Sequence, residues 1–233
     1  MCSHYRIPLG LMMNGLAGFR TIQKQLSRRV IINDAFKKPL TQVAGIDLAF
    51  TDNLAITACV ITSFPTLKPI HQKTSTSEVA FPYIPTFLSF REGPPIIKII
   101  TSLEEKADIF LINAHGLAHP LYCGCASYVG VLTGVATIGV ATSNLCGVYA
   151  HVPQRVGEAV ATHYEGRRVG WVLQSQERCR PIFVSPGHKI GQHACLKIVT
   201  KCVIRHKLPE PLWLAHRLAN EEKRRLTSLK ARA

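Results

Sequence analysis

Residues 109–120 read IFLINAHGLAHP. The first four are apolar and too few for a helix, which predicts a buried strand of an α/β sheet. The character then changes at Asn113, Ala114, His115 and Gly116, with His119 directly before Pro120. An apolar strand that ends in a polar loop of small residues is where open α/β sheets bind ligands. Two other apolar stretches carry an acid each: Asp47 in VAGIDLAF (43–50) and Glu92 in FREGP (90–94). Three segments that each bring such a residue predict one shared site.

Working outward, residues 43–50 predict a central strand. Thr51, Asp52 and Asn53 followed by the apolar 54–62 predict a hairpin. With a third strand expected near 70–75, this part is an antiparallel meander. Ahead of it, Leu16, Phe19, Ile22, Leu26 and Val30 recur at helical spacing within 16–33, with basic residues between them. That is an amphipathic helix whose basic face suits a phosphate backbone. FPYIP (81–85) is a rigid loop holding Tyr83, because each proline fixes its own φ and restricts the residue before it. A helix is expected over 94–103, with proline in its first turn.

After the strand at 108–112 come a helix at 121–132 and a parallel strand at 136–141, ending in Thr142, Ser143 and Asn144. Residues 169–173 and 181–184 alternate as a late hairpin, and 185–188 reads as a turn. A helix follows at 193–206, a stiff linker at 208–211 and a terminal helix with a basic end at 212–232. The expected fold is α/β: one domain, a mixed β-sheet flanked by helices.

Lys and Arg number 28 against 14 Asp and Glu, a net charge of +14. An excess of that size is the footprint of a polyanion partner, usually nucleic acid. The uncharged run 125–145 is punctuated by Gly130, Gly134 and Gly139, so it reads as a helix and a buried strand, not a membrane span. Residues 1–13 are broken by Pro8 and Gly10 and lack a small-residue cleavage site, which argues against a signal peptide. The eight cysteines show no C-x-x-C pair and no framework spacing; they read as free thiols in a reducing compartment.

A carboxylate inside an apolar strand, as Asp47 is, is costly unless paired or bound to a cation. Glu92 stands beside Arg91 and reads equally as a solvated ion pair or as a ligand. Together the two acids, read as lying on different strands, make a hard-oxygen site suited to magnesium or manganese, ions that support phosphodiester hydrolysis. His115 and His119 have i, i+4 spacing, but their segment leaves a strand, contains Gly116 and lacks the glutamate of H-E-x-x-H, so zinc is not expected. Base or phosphate contact and loop packing stay open for both. His216, ahead of a Glu-Glu-Lys-Arg-Arg run, would by itself be an ordinary helix-surface histidine. Tyr83 is either a packed loop aromatic or a wedge between bases.

Taken together, VAGIDLAF, PYIP, FREGP, HGLAHP, GVLTGVATIGVA, VSPGHKI and LPEPLWLAHRL resemble the endonuclease V family, the deoxyinosine 3′ endonucleases. The motifs run in the family's order from about Gln25 to Leu218. The resemblance implies a ribonuclease-H-like fold in one domain, with its core at about 16–218. It implies Mg²⁺-dependent nicking, with Mn²⁺ able to substitute, at the second phosphodiester 3′ to a deaminated base in DNA. Some members act on inosine in RNA. A cytoplasmic monomer with no membrane association is expected.

By motif, Asp47 and Glu92 are the catalytic metal carboxylates and His216 the catalytic-site histidine. Tyr83 is the wedge; Gly116, His119 and Leu145 line the base pocket. Two positions depart from the pattern. Asn113 stands where the family has a metal-binding aspartate, and Thr142 where it has a lysine. An amide oxygen ligates a hard cation but brings no charge, and losing the lysine removes a cation from the scissile phosphate. Asp108 sits at the start of the same strand, at the wrong end and on the opposite face to replace Asn113. Two outcomes therefore stay open: a nuclease with weakened catalysis, or a non-cleaving reader of inosine-containing nucleic acid.

Overall fold

The computed structural model describes residues 15–51 and 54–230. Residues 1–13, Asp52 and Asn53 of the expected hairpin turn, and the last two positions of the expected terminal helix lie outside the described residues. The centre of the molecule is an eight-stranded mixed sheet. Its strands are β1 (Gln42–Thr51), β2 (Leu54–Ser63), β3 (Pro69–Glu78), β4 (Ile109–Ile112), β5 (Thr137–Ala141), β6 (Ala159–Tyr164), β7 (Arg167–Leu173) and β8 (Ile182–His188). They lie in the order β3-β2-β1-β4-β5-β8-β7-β6. β1, β4 and β5 are parallel, and the flanking pairs are antiparallel. The parallel strands are buried on both faces, hence their continuous apolar runs. β3 is polar and lies at the edge, a composition that discourages pairing with another chain.

Helices cover both faces, and strand alternation assigns the residues to each. On one face α1 (Leu16–Ser27), α2 (Leu88–Thr101) and α3 (Cys125–Thr133) pack on Ala44, Ile46, Phe110 and Ile112. On the other, α4 (Gln192–Cys202) and the start of α5 (Glu210–Lys230) pack on Val43, Ile109, Leu111, Ile138 and Val140. The first turn of α5 comes so close to β1 that a Cβ on Gly45 would lie 2.1 Å from the Pro211 carbonyl oxygen. Glycine is therefore the residue that lets α5 lie against the strand holding Asp47. Asp108 accepts hydrogen bonds from the Thr41 and Gln42 amides, pinning the far end of the sheet.

The meander, the parallel strands and the pairing of β7 with β8 agree with the sequence reading. Several boundaries do not. The helix expected from Pro94 begins six residues earlier and runs through Pro94 and Pro95. Gly93 lies flat against the Tyr128 ring while Phe90, Pro95, Ile96, Ile99 and Ile100 form one buried face. That packing outweighs the two lost backbone donors. Glu92 consequently sits on α2, not at a strand end. Residues 185–188 continue β8 instead of turning, because they pair with β5. Glu210 and Pro211, read as linker, form the first turn of α5. The first helix stops at Ser27, α3 starts at Cys125 and α4 ends at Cys202. β6 was not expected, although Glu165 and Gly166, both at positive φ, make the kind of tight turn that joins hairpin strands.

Replacing Gly45 with alanine is expected to cost about 3 kcal/mol, the upper range for overpacking. It should also shift α5 away from β1. A lowered urea midpoint with an unchanged slope would report the loss; an unaltered midpoint would mean the α5 contact yields freely.

Candidate functional site

The site is built around Asp47, which is 5% exposed in the interior of β1. Both carboxylate oxygens have donors. His216 Nδ1 lies 2.7 Å from Oδ2, and Asn113 Nδ2 donates to Oδ1 at 3.0 Å. His216 reaches Asp47 because α5 rises along β1 from Gly45. Its side chain is 53% exposed, so its outer edge meets solvent. Asn220, one turn on, donates to the His216 carbonyl at 2.8 Å and places the same amide nitrogen 3.3 Å from Nε2. With Nε2 facing that donor, the proton belongs on Nδ1, directed at Asp47.

Asn113 is the first residue past β4. Its amide donates to the Ile46 carbonyl at 3.2 Å, which carries the β1–β4 ladder one step further and brings its side chain beside Asp47. Glu92 comes in from α2. Its carboxyl is pushed up to about 8, mainly by burial and then by the Asp47 charge, with Arg91 opposing. Arg91 is engaged elsewhere: it donates to the Phe81 carbonyl at 2.7 Å and lies over the Phe50 ring. A solvated Arg91–Glu92 pair is not what the fold builds.

Two carboxylates whose charges oppose each other, with the Asn113 amide beside Asp47, form a hard-oxygen donor set. It fits a divalent cation of the magnesium type, with one charge fewer than three acids would give. Among the described residues no three His, Cys, Asp or Glu side chains form a ready-made metal cluster.

Asn113 also lines a neighbouring cleft of about 220 Å³, together with Tyr83, Thr86, His115, His119, Thr142 and Leu145. Tyr83 stands at its rim, 70% exposed. The loop that carries it ends at Thr86, a β-branched residue in the left-handed region at φ 69°, a conformation such residues rarely hold unaided. Two donors hold its carbonyl: Gln23 Nε2 of α1 and His119 Nε2, each at 2.8 Å. His119 Nδ1 accepts from the Leu121 amide at 3.0 Å. At 2% exposure, with both ring nitrogens committed, His119 fixes the pocket wall to the Tyr83 loop. His115 is different. Burial pushes it down to about 4 and a backbone group of Ser143 contacts it, yet its buried Nδ1 has no partner.

The fold thus brings Asp47, Glu92, Asn113 and His216 into one cluster. It brings Tyr83, His119, Thr142 and Leu145 into one cleft, and Asn113 belongs to both. Gly116 is not in the cleft lining. Its N–H donates to Ser185 Oγ at 2.8 Å, and a Cβ there would strike the Pro186 carbonyl. Gln23, Asn220 and Ser185 were not singled out from sequence. Asn220 lies four residues after His216, a spacing that does signal contact on a helix; the other two carry no local signal.

A family profile described as Endonuclease V matches residues 24–217. An endonuclease V from Roseiflexus sp. (strain RS-1) is 37% identical over 205 residues, covering 88% of this chain and 92% of the relative. The crystal structure of the endonuclease V from Streptomyces avermitilis superposes with a TM-score of 0.82 at 31% identity, covering 89% and 92% of the two chains. That of Ciona intestinalis endonuclease V, in complex with a 24mer DNA containing an inosine followed by a ribo-adenosine, superposes with a TM-score of 0.79 at 24% identity. It covers 92% of this chain and 99% of the other.

Asn113→Asp removes a hydrogen bond to Asp47 and adds a third charge. Without divalent ions it should cost about 2 kcal/mol, or roughly 4–8 °C in Tm. Millimolar Mg²⁺ or Mn²⁺ should then raise its Tm more than that of wild type. Equal shifts in differential scanning calorimetry would mean that position 113 does not face the cation. The neutral histidines give a second expectation. His115 and His188 are held down near 4, and His119 is also lowered, each mainly by burial. The unfolded chain takes up protons below about 6.5 that the fold refuses. Stability should therefore rise with pH between about 4 and 6.5, which urea titrations at pH 5 and 7 will check.

Proposed function

The chain belongs to the endonuclease V family, and on that premise we propose that it is an inosine-directed nuclease of weakened metal affinity. It would nick DNA at the second phosphodiester 3′ to deoxyinosine, in the repair of deaminated bases, with inosine-containing RNA as a related substrate. The observation that carries the reading is the Asp47 cluster, joined through Asn113 to a cleft with an exposed aromatic at its rim. The inosine-containing DNA bound by the Ciona relative supports the same ligand class here.

In this mechanism Tyr83, held between Pro82 and Pro85, enters the stack where the base leaves it. The flipped base occupies the cleft between the Tyr83 loop and residues 142–145. His115 is neutral and its buried Nδ1 has no partner; turned toward the cleft, that nitrogen would accept from a ring N–H, a donor that hypoxanthine presents at N1 and adenine does not. Asp47, Glu92 and the Asn113 amide oxygen would hold a magnesium or manganese ion, and for this the Asn113 amide turns over. Such an ion supplies charge neutralisation at the scissile phosphate and activation of water. His216 keeps Asp47 oriented through Nδ1 and offers Nε2 to a proton once Asn220 gives way. Thr142 brings no cation to the phosphate, which would leave its charge to the basic surface and to the cation that Asp47, Glu92 and Asn113 would hold. We further propose a monomer in the cytoplasm.

A second reading, a non-cleaving reader of inosine, is favoured by one contact. Asn113 Nδ2 already satisfies Asp47 Oδ1 at 3.0 Å, so the carboxylate is stable without a metal.

The deciding assay is cleavage of a labelled duplex with one central inosine, in Mg²⁺ and in Mn²⁺, with binding measured in EDTA. Wild type is expected to nick one nucleotide beyond inosine, at least about tenfold more slowly than Asn113→Asp. Cutting by Asn113→Asp alone, with inosine-selective binding by both, would establish the reader instead. If neither cuts nor prefers inosine, both readings fall.

A further inference from the structure

The outer face of α4 takes no part in the cluster or the cleft. Cys195, Ile198, Val199 and Cys202 face the sheet. His193, Lys197 and Lys201, spaced i, i+4, i+8, face solvent. They form a straight row about 12 Å long on the helix surface. The fold extends this row at both ends from other segments. At the start, Arg168 of β7 brings its guanidinium to 3.4 Å from His193 Nε2 and lies over the Trp171 ring at 5.1 Å. Trp171 is anchored in turn by its Nε1–H donating to the Gln192 carbonyl at 3.2 Å. Three residues past the end of α4 lies the exposed Arg205. There the β7–β8 loop, with exposed Arg178 and Arg180, is tied in by Gln176 Nε2 donating to the Ile204 carbonyl at 3.2 Å.

None of these cations is in a salt bridge among the described residues. The acid on these segments is Glu177; Asp34, from the segment before β1, also reaches the start of α4. Asp34 is spent on the Gly191 amide at 2.8 Å. Lys and Arg side chains gathered from three segments into one unpaired row repel one another. Such an arrangement costs stability and is relieved by a polyanion. Apart from Ile204, the row exposes no large apolar side chain, so it lacks the apolar face that a membrane-surface helix inserts. A duplex presents a phosphate charge every ~1.7 Å of its axis, a dense match for this row.

We propose that the outer face of α4, from Arg168 to Arg205, is a second nucleic-acid surface that holds phosphate backbone independently of base identity. The sheet separates it from the Tyr83 loop, which packs with α1 and α2 on the other face. It therefore engages nucleic acid beyond the stretch that enters the cleft. The inference rests on the nucleic-acid part of the reading above and not on cleavage.

The test uses the full chain, with the triple variant Lys197→Gln, Lys201→Gln, Arg205→Gln. A charge-matched control, Lys68→Gln, Lys98→Gln, Lys106→Gln, alters exposed lysines of the β2–β3 turn, α2 and the loop before β4. Binding to an inosine-free duplex of about 30 base pairs is followed by fluorescence anisotropy between about 50 and 200 mM salt. At about 0.9 per phosphate contact, the log–log salt slope of the α4 variant should be shallower by about 2–3. The control slope should change by less than about 1. The inosine preference of the α4 variant should stay at the wild-type ratio. Equal slopes for wild type and the α4 variant, or equal losses in variant and control, would overturn the surface and leave the cleft reading standing. Failure of wild type to bind any duplex would overturn both together. Retention on phosphatidylserine vesicles with an unchanged duplex slope would replace nucleic acid by a membrane surface.

Discussion

A carboxylate set into the interior of a strand must be compensated, and Asp47 is the place where this fold meets that requirement. An unpaired buried charge costs several kcal/mol. Asp47 escapes that cost because two distant parts of the chain converge on it. His216 arrives along α5 and Asn113 at the end of β4. Each of these placements depends on backbone fit: Gly45 lets α5 close on β1, and the parallel ladder extended by Asn113 N–H sets the position of its side chain. A change that loosens either approach exposes the carboxylate to desolvation without a partner.

Asn113 gives the site its particular chemistry. An aspartate there would add a third charge to a place where Glu92 is already pushed up by burial and by Asp47, and would draw part of its stability from a bound cation. The amide instead donates to Asp47 and settles the cluster internally. The same residue walls the neighbouring cleft, so one side chain joins the Asp47 cluster to the cleft.

The cleft shows a comparable division between contact and support. His119 and Gln23 both spend their donors on the Thr86 carbonyl and so hold a strained residue at the foot of the Tyr83 loop. A rigid aromatic at a rim needs such buttressing, because an exposed loop would otherwise sample many positions and lose the geometry on which stacking depends. His119 has both ring nitrogens committed, whereas His115 keeps its buried Nδ1 without a partner.

The sequence by itself determined the sheet order of the first three strands, the parallel pair that follows, and the residues able to carry chemistry. Alternation and apolar runs are local signals, and motif order makes Asp47, Glu92, Asn113, Tyr83 and His216 visible without coordinates. It did not determine that Glu92 lies on a helix, because proline and glycine propensities oppose that helix locally while contact with Tyr128 and the core secures it. Nor did it determine that residues 185–188 stay extended, since Pro and Gly read as a turn until β5 supplies the partners. Gln23 and Ser185 were invisible for the same reason: their roles are bonds to residues dozens of positions away. Only the tertiary structure decided that Asn113 donates to Asp47, that His119 ties the cleft wall to the Tyr83 loop, and that Arg168 joins the row on α4. Such pairings are settled by which elements pack together, and no local pattern in the chain encodes that.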